Sequence, residues 1–381
     1  MRQGGSETLL WRLVAVLAVI SAGAYLGNEN AQYFWDLKVY VLSLDSPFPY
    51  RYDEPYPFLY PPVAKQIFTL ARSHLFELLS IAYVASAALL VNACARLRAT
   101  RPFEWLAAMT SMGGLGVVSL MSGNVAILLN LSLLAVALQA GLGSPVAHAV
   151  LPVVIFFGAL IKPQFVVYSG LLLIVERSVK VGIAKAAGVV AAAAAVHLLY
   201  AQLHPVDWSE YTQALVKRTV VEKDFAWGPA GFMKHFSDSS AAALVAFLAG
   251  LVLVAGLAFA TYQRSRRDGA RMPPVAVVSL AFLVLTFANP RMPPYDVFVA
   301  LLALAVCCSF AARQGIMVRL LALLLAVNLV PWMIKEFART PSAWTWWLQD
   351  VQLGHLLGLV SLLAALSRVG IAGDANPERA L

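Results

Sequence analysis

Charge is what this sequence has least of. Only 13% of its 381 residues are Asp, Glu, Lys or Arg, about half the share usual in soluble globular domains. A soluble globular chain is excluded on that count. Cysteine is almost missing as well: Cys94, Cys307 and Cys308 all sit within apolar runs. That rules out a disulfide framework or a thiolate metal site and leaves them as small packing residues. The sequence holds no Walker or dinucleotide glycine motif, no Gly-x-Ser-x-Gly elbow, no internal repeat and no low-complexity linker. No His/Asp/Glu spacing makes a metal site, and no metal or other cofactor is expected.

What it has instead is apolar length. Hydrophobic residues make up 60% of the chain and the mean hydropathy is +0.75. They come in runs of roughly 17 to 25, enough to cross about 30 Å of hydrocarbon as helix. The expected fold is all-α, a polytopic transmembrane helical bundle of about 11–12 spans forming one membrane-embedded domain over residues 1–381. Spans read at 9–26, 75–95, 104–121, 124–141, 146–161, 164–177, 183–201, 239–262, 273–289, 295–312, 316–334 and 351–368. The net charge of +8 is no nucleic-acid footprint. Arg96, Arg98 and Arg101, then Arg177, Lys180 and Lys185, then Arg264, Arg266, Arg267 and Arg271, and finally Arg313 and Arg319 fall in short connections. The positive-inside rule makes those connections cytoplasmic, with both termini on the same side. The parity closes when 146–177 is a helical hairpin broken at Lys162-Pro163, where proline removes a backbone donor. A proline kink in one long helix is the alternative.

Polar and aromatic residues then gather on the outer face, in a first outer loop at 27–74 and a lid-like loop at 202–238. Asp36 lies in "YFWDLKVY", and Tyr33, Phe34 and Trp35 could desolvate it into a proton acceptor; an ordinary solvated acid in an aromatic belt is the plainer reading. After Tyr60-Pro61-Pro62, residues 63–73 suit a short amphipathic helix lying on the membrane. Asp53 and Glu54 read as solvated loop charges, and Asp45 stays open. Lys162 and Arg291 are placed to meet a phosphate or to snorkel to headgroups, with Lys65 and Arg51 as weaker candidates. His204, Asp207, Trp208, Tyr211 and His235 belong to the outer lid, where 204–218 reads as a surface helix; His148 and His197 read as hydrogen-bonded core residues.

"DLKVY" at 36–40, "YPP" at 60–62, "SGN" at 122–124 and "KPQ" at 162–164, followed by Asn289-Pro290 to Asp296, carry a resemblance. In this order they resemble the GT-C superfamily of integral membrane glycosyltransferases, closest to the polyprenol-phosphate-mannose-dependent mannosyltransferase-like family, glycosyltransferase family 87. The resemblance implies Asp36 as general base and a sugar donor carried on a polyprenyl phosphate, with no nucleotide. It implies Lys162 and Arg291, with Lys65 in reserve, at the donor phosphate. Tyr33, Trp35, Tyr40, Asp45, Tyr60, Asn124, Gln164 and Asp296 then contact substrate. Relatives often carry His after the late Asp; here Val297 follows Asp296, so any histidine role passes to His204 or His235.

The implied reaction is an inverting transfer of one sugar to a hydroxyl of a glycolipid or glycan acceptor. It takes place at the outer face of a bacterial plasma membrane. Mannose is the commonest family donor. A lipid-linked polysaccharide polymerase or ligase would share that location, and a transporter would suit about twelve spans.

Overall fold

The computed structural model describes residues 35–46, 49–50, 58–96, 122–222, 226, 228–234, 236–267, 272–311, 320 and 341–371. Among the described residues all regular structure is helical, and extended pairing is limited to two isolated bridges, Ala226 with Met292 and Ala311 with Ile371. The chain is all-α. The spans read at 9–26 and 104–121, and nearly all of 316–334, lie outside the described residues. The chain divides into two compact units, one built from Gln32–Leu90 and Leu120–Phe225, the other containing Ala226–Leu381.

The first unit opens with α1 (Trp35–Asp45), α2 (Pro62–Leu70), a 3-10 turn at Arg72–His74 and α3 (Leu75–Arg96), which belongs to this unit as far as Leu90. Asp36 therefore stands in a helix, although 27–74 read as a loop that would fold only at 63–73. Helices α4 (Val125–Gly141) and α5 (Pro145–Ile161) follow as a pair. Their turn is written in sequence: Gly143 takes φ +82°, which only glycine adopts without strain, Ser144 caps α5, and Pro145 fills its first position.

At Lys162 the backbone turns extended, with φ −133° and ψ 102°, and the chain doubles back. It returns as a 3-10 helix (Pro163–Leu171) and a single α turn, α6 (Leu172–Val175). Glu176, just past α6, lies 3.8 Å from His148 near the start of α5, so the two limbs are antiparallel. The hairpin read from Lys162-Pro163 is present, but its second limb is chiefly 3-10 and not the α-helix expected at 164–177. That winding adds reach: nine residues at about 2.0 Å and four at about 1.5 Å cover roughly 24 Å, close to the roughly 25 Å of α5. Lys185 donates to Glu176 at 2.6 Å and fastens both limbs to α7 (Val179–Leu203). His197, half-buried on α7, donates from Nε2 to the Ala159 carbonyl at 3.0 Å, so it is hydrogen-bonded as expected but is not a core residue.

Helix α7 approaches α6 at Gly182, where an added Cβ would meet the Leu172 carbonyl oxygen at 2.7 Å and the Leu173 Cα at 3.0 Å. Both are backbone atoms, which cannot rotate away. Gly182→Ala is expected to lower thermal stability by about 1–3 kcal/mol, as overpacking does. Gly188→Ala on the same helix meets nothing within 4 Å. It should be neutral or stabilising by up to about 1 kcal/mol from helix propensity. Thermal unfolding of the two variants in one detergent checks the pair; equal shifts would mean that the close approach carries no stability. The unit ends with α8 (Pro205–Val216), the surface helix expected at 204–218, and a π-helical turn at Lys217–Val221.

The second unit contains α9 (Pro229–Met233), α10 (Ser240–Arg267), α11 (Pro274–Phe287), α12 (Pro294–Ser309) and α13 (Pro341–Val369). Gly250 on α10 leaves room for the Pro229 ring, whose Cγ would stand 2.5 Å from an added Cβ. Residues 335–350 read as an outer connection, yet helix runs from Pro341.

Two helices, Val179–Leu203 and Ser240–Arg267, are long and apolar enough to cross a membrane. Only 17% of the most apolar stretch of each is buried. The exposed positions are themselves apolar, among them Ile183, Leu198 and Leu199 on α7 and Leu244, Val252 and Phe259 on α10.

Candidate functional site

Each sequence motif of the first unit has its own backbone reason. Asp36 is in the first turn of α1, where the partial positive charge of a helix N-terminus favours an anion. Tyr40 lies four residues on, one turn along the same face. Pro61 sits extended at φ −62° and ψ 159°, and Pro62 starts α2, so the double proline fixes how Tyr60 enters the fold. Gly123 takes φ +68°, and Asn124 after it caps α4 by accepting the Ala126 N–H at 2.8 Å. Lys162 closes α5 and precedes Pro163 at the hairpin tip.

These residues meet. Asn124 Nδ2 donates to Asp36 Oδ2 at 3.0 Å, and the Asp36 N–H donates to the Ser122 carbonyl at 2.9 Å. The Tyr60 hydroxyl donates to Asn124 Oδ1 at 3.4 Å and shares a hydrogen bond with the Tyr40 hydroxyl at 2.7 Å. The Val125 N–H donates to Tyr40 at 3.3 Å. The Lys162 ammonium stands 5.7 Å from the Tyr60 ring centroid, close enough for a cation–π contact, and the residue is only 8% exposed. A chain of contacts thus runs from the Asp36 carboxylate through Asn124 and Tyr60 to Lys162.

An aromatic cradle supports it. Tyr40 packs on Phe68 and edge-on to Tyr60, each at 5.3 Å, and Phe58 packs on Tyr60 and Phe68 at 5.4 and 5.9 Å. Such pairs contribute about 0.5–1.5 kcal/mol each beyond their buried area. Tyr50 extends the cradle to Tyr211 on α8 at 6.0 Å. Burial, reinforced by the charge of Asp207, pushes the Tyr50 phenol far above its usual range. Burial alone pushes Tyr211 up to about 12. Both phenols stay neutral and serve as packing groups, not as proton acceptors.

Other expected residues lie elsewhere or are differently engaged. Lys65 is held by Asp207 at 3.0 Å and lies 5.5 Å from the Tyr50 ring centroid. Asp45 pairs with Arg72 at the surface. Gln164 is half-buried in the 3-10 limb, and exposed His204 stacks on Tyr200 at 5.5 Å. In the second unit Asp296 is buried in the first turn of α12 and accepts from Asn289 Nδ2 at 3.2 Å. The Arg291 N–H donates to Asn289 Oδ1 at 3.1 Å, so Asn289 organises that loop. Tyr33, His235 and the Trp35 side chain lie outside the described residues. Among the described residues no group of three His, Cys, Asp or Glu side chains could hold a metal ion.

Ser122, Tyr50, Phe58 and Phe68 did not stand out as site residues, and the pairing of Lys65 with Asp207 was not foreseen. Asp207, Trp208 and Tyr211 share one face of α8 by their spacing, which was the available signal. No protein-family profile, curated protein or solved structure matches this chain.

Proposed function

We propose that this protein is a polytopic membrane glycosyltransferase of the GT-C kind. It moves a single sugar, with mannose the first candidate, from a polyprenyl phosphate to a hydroxyl of a glycolipid or glycan. The observation that carries the reading is the meeting of four motifs far apart in sequence: Asp36 and Tyr40, Tyr60, Asn124, and Lys162. Two long helices with apolar exposed faces, and shorter apolar helices at Val125–Gly141, Pro145–Ile161 and Pro274–Phe287, support a membrane setting.

The chemistry needs little more. A sugar phosphate already has a leaving group, so one base and a cation suffice, unlike glycoside hydrolysis with its two carboxyl groups. Asp36 takes the proton of the acceptor hydroxyl as that oxygen bonds the anomeric carbon from the face opposite the phosphate. The bond from that carbon to the phosphate oxygen breaks, its electron pair leaves with the polyprenyl phosphate, and the configuration inverts. Lys162 balances the charge that grows on the departing phosphate. Tyr40 and Tyr60, expected to contact substrate, are buried in the cradle; they support the site from beneath, Tyr60 holding Asn124 by its hydroxyl and Lys162 by its ring. The site would face the outer side of a bacterial plasma membrane, with the basic connections and both termini in the cytoplasm.

The test uses purified protein in lipid, radiolabelled polyprenyl-phosphate mannose and a membrane glycolipid extract. The expected result is label in the glycolipid fraction. Label appearing instead in a ladder of oligosaccharide-bearing lipids would point to a polymerase or ligase. Uptake into vesicles without covalent transfer would point to a transporter and end the enzyme reading.

A further inference from the structure

We propose that Asn124 is the positioning residue of Asp36, one amide side chain both capping α4 and holding the carboxylate that acts as base. This rests on the transfer reaction proposed above. An amide is two-sided, since its oxygen only accepts and its nitrogen only donates. Asn124 Oδ1 accepts from the Ala126 N–H at 2.8 Å, a backbone donor that cannot become an acceptor. That bond settles which way the amide faces and turns Nδ2 to Asp36 Oδ2 at 3.0 Å. The flipped amide would set N–H against N–H and oxygen against carboxylate oxygen.

The residue's backbone is fixed as well. Gly123 is left-handed at φ +68°, and the Asn124 N–H donates to Ser122 Oγ at 3.1 Å. Ser122 in turn accepts the Asp36 N–H on its carbonyl at 2.9 Å. The three-residue turn therefore holds Asp36 at two points, by its backbone and by its carboxylate. Tyr60, itself bonded to Tyr40, steadies the amide oxygen from a third direction. A base held at a set angle to its acceptor is worth more than one free to rotate. The titratable side chains of this network are Asp36 and Tyr40 on α1, Tyr60 before α2, and Lys162 at the end of α5.

Asn124→Asp separates the two roles. Asp caps a helix as well as Asn does, but here it replaces the donor by a like charge beside Asp36. The expected result is an unchanged donor KM with kcat lower by about 10–100-fold. The thermal midpoint should be lower at neutral pH and recover as the pH falls, because a carboxyl whose pKa folding raises opposes folding when ionised. The acid limb of the pH–rate profile should move alkaline by about one unit or more, because adjacent carboxylates hold a proton between them. Asn124→Ser keeps a capping oxygen without the added charge and should move the profile the same way by less; it decides the matter if Asn124→Asp does not fold.

Carbodiimide labelling of Asp36 across pH, read by mass spectrometry without substrate, gives an independent measure, since protonated carboxyl groups react. Its midpoint should rise in both variants. Unchanged kcat, profile and labelling midpoint would reduce Asn124 to a helix cap and overturn the proposal. A wild type that transfers no sugar, but whose labelling midpoint moves in the variants, would keep the positioning role and remove the transferase reading instead.

Discussion

Asp36→Asn is expected to lower sugar transfer by about 10²–10⁴-fold, the range that removing a general base costs, while the protein folds as before. The substitution keeps the side-chain shape and leaves an oxygen to accept from Asn124 Nδ2, so the bond across to α4 survives. What it removes is the ability to take a proton. Loss of the charge at the start of α1 should cost no more than about 0.3–1 kcal/mol of stability. The measurement is initial rate of label transfer beside a thermal unfolding curve for each protein. A large loss of rate with an intact unfolding curve assigns the base. Transfer within a few-fold of wild type would remove Asp36 from the chemistry and turn attention to Asp296, which is buried and hydrogen-bonded to Asn289 in the other unit.

The same site shows what sequence conveys and what it does not. Local rules are legible because they act through the backbone within a few residues. Pro62 and Pro145 mark helix starts, Asn124 marks a cap, Gly143 marks a turn, and Lys162-Pro163 marks a break. Periodicity is legible for long apolar helices such as Val179–Leu203 and Ser240–Arg267. It fails for α1, eleven residues bounded by aromatic and proline-rich segments that read as loop. It fails also for the start of α13, since 335–350 read as an outer connection although the backbone is helical from Pro341. The 3-10 winding after Pro163 has no sequence signature either; it depends on how far the return limb must reach beside α5.

Side-chain meetings are legible least of all. That Tyr60 should bond Tyr40 and Asn124, or that Asp207 should hold Lys65, follows from tertiary packing of segments up to 142 residues apart. The resemblance named Asp36, Asn124 and Lys162 without saying what joins them. The joining group is Tyr60, which touches Asn124 with its hydroxyl and Lys162 with its ring.

Lys162→Met is the second large effect, an expected fall in kcat of about 10²–10³-fold, comparable to deleting one group that stabilises developing charge. The proposed donor would be a phosphodiester with one negative charge, and the polyprenyl phosphate that leaves would gain a second. A cation beside it therefore binds the transition state more tightly than the bound donor, and its removal should fall on kcat more than on KM. Methionine matches the length of the lysine stem and fills the space beside Tyr60, so packing survives at a position only 8% exposed. A lysine that merely snorkels toward headgroups predicts the opposite pattern, an unchanged kcat and at most a small loss of thermal stability. If kcat holds in Lys162→Met while Arg291→Met loses it, the leaving phosphate belongs to the loop before α12 and the hairpin tip is structural.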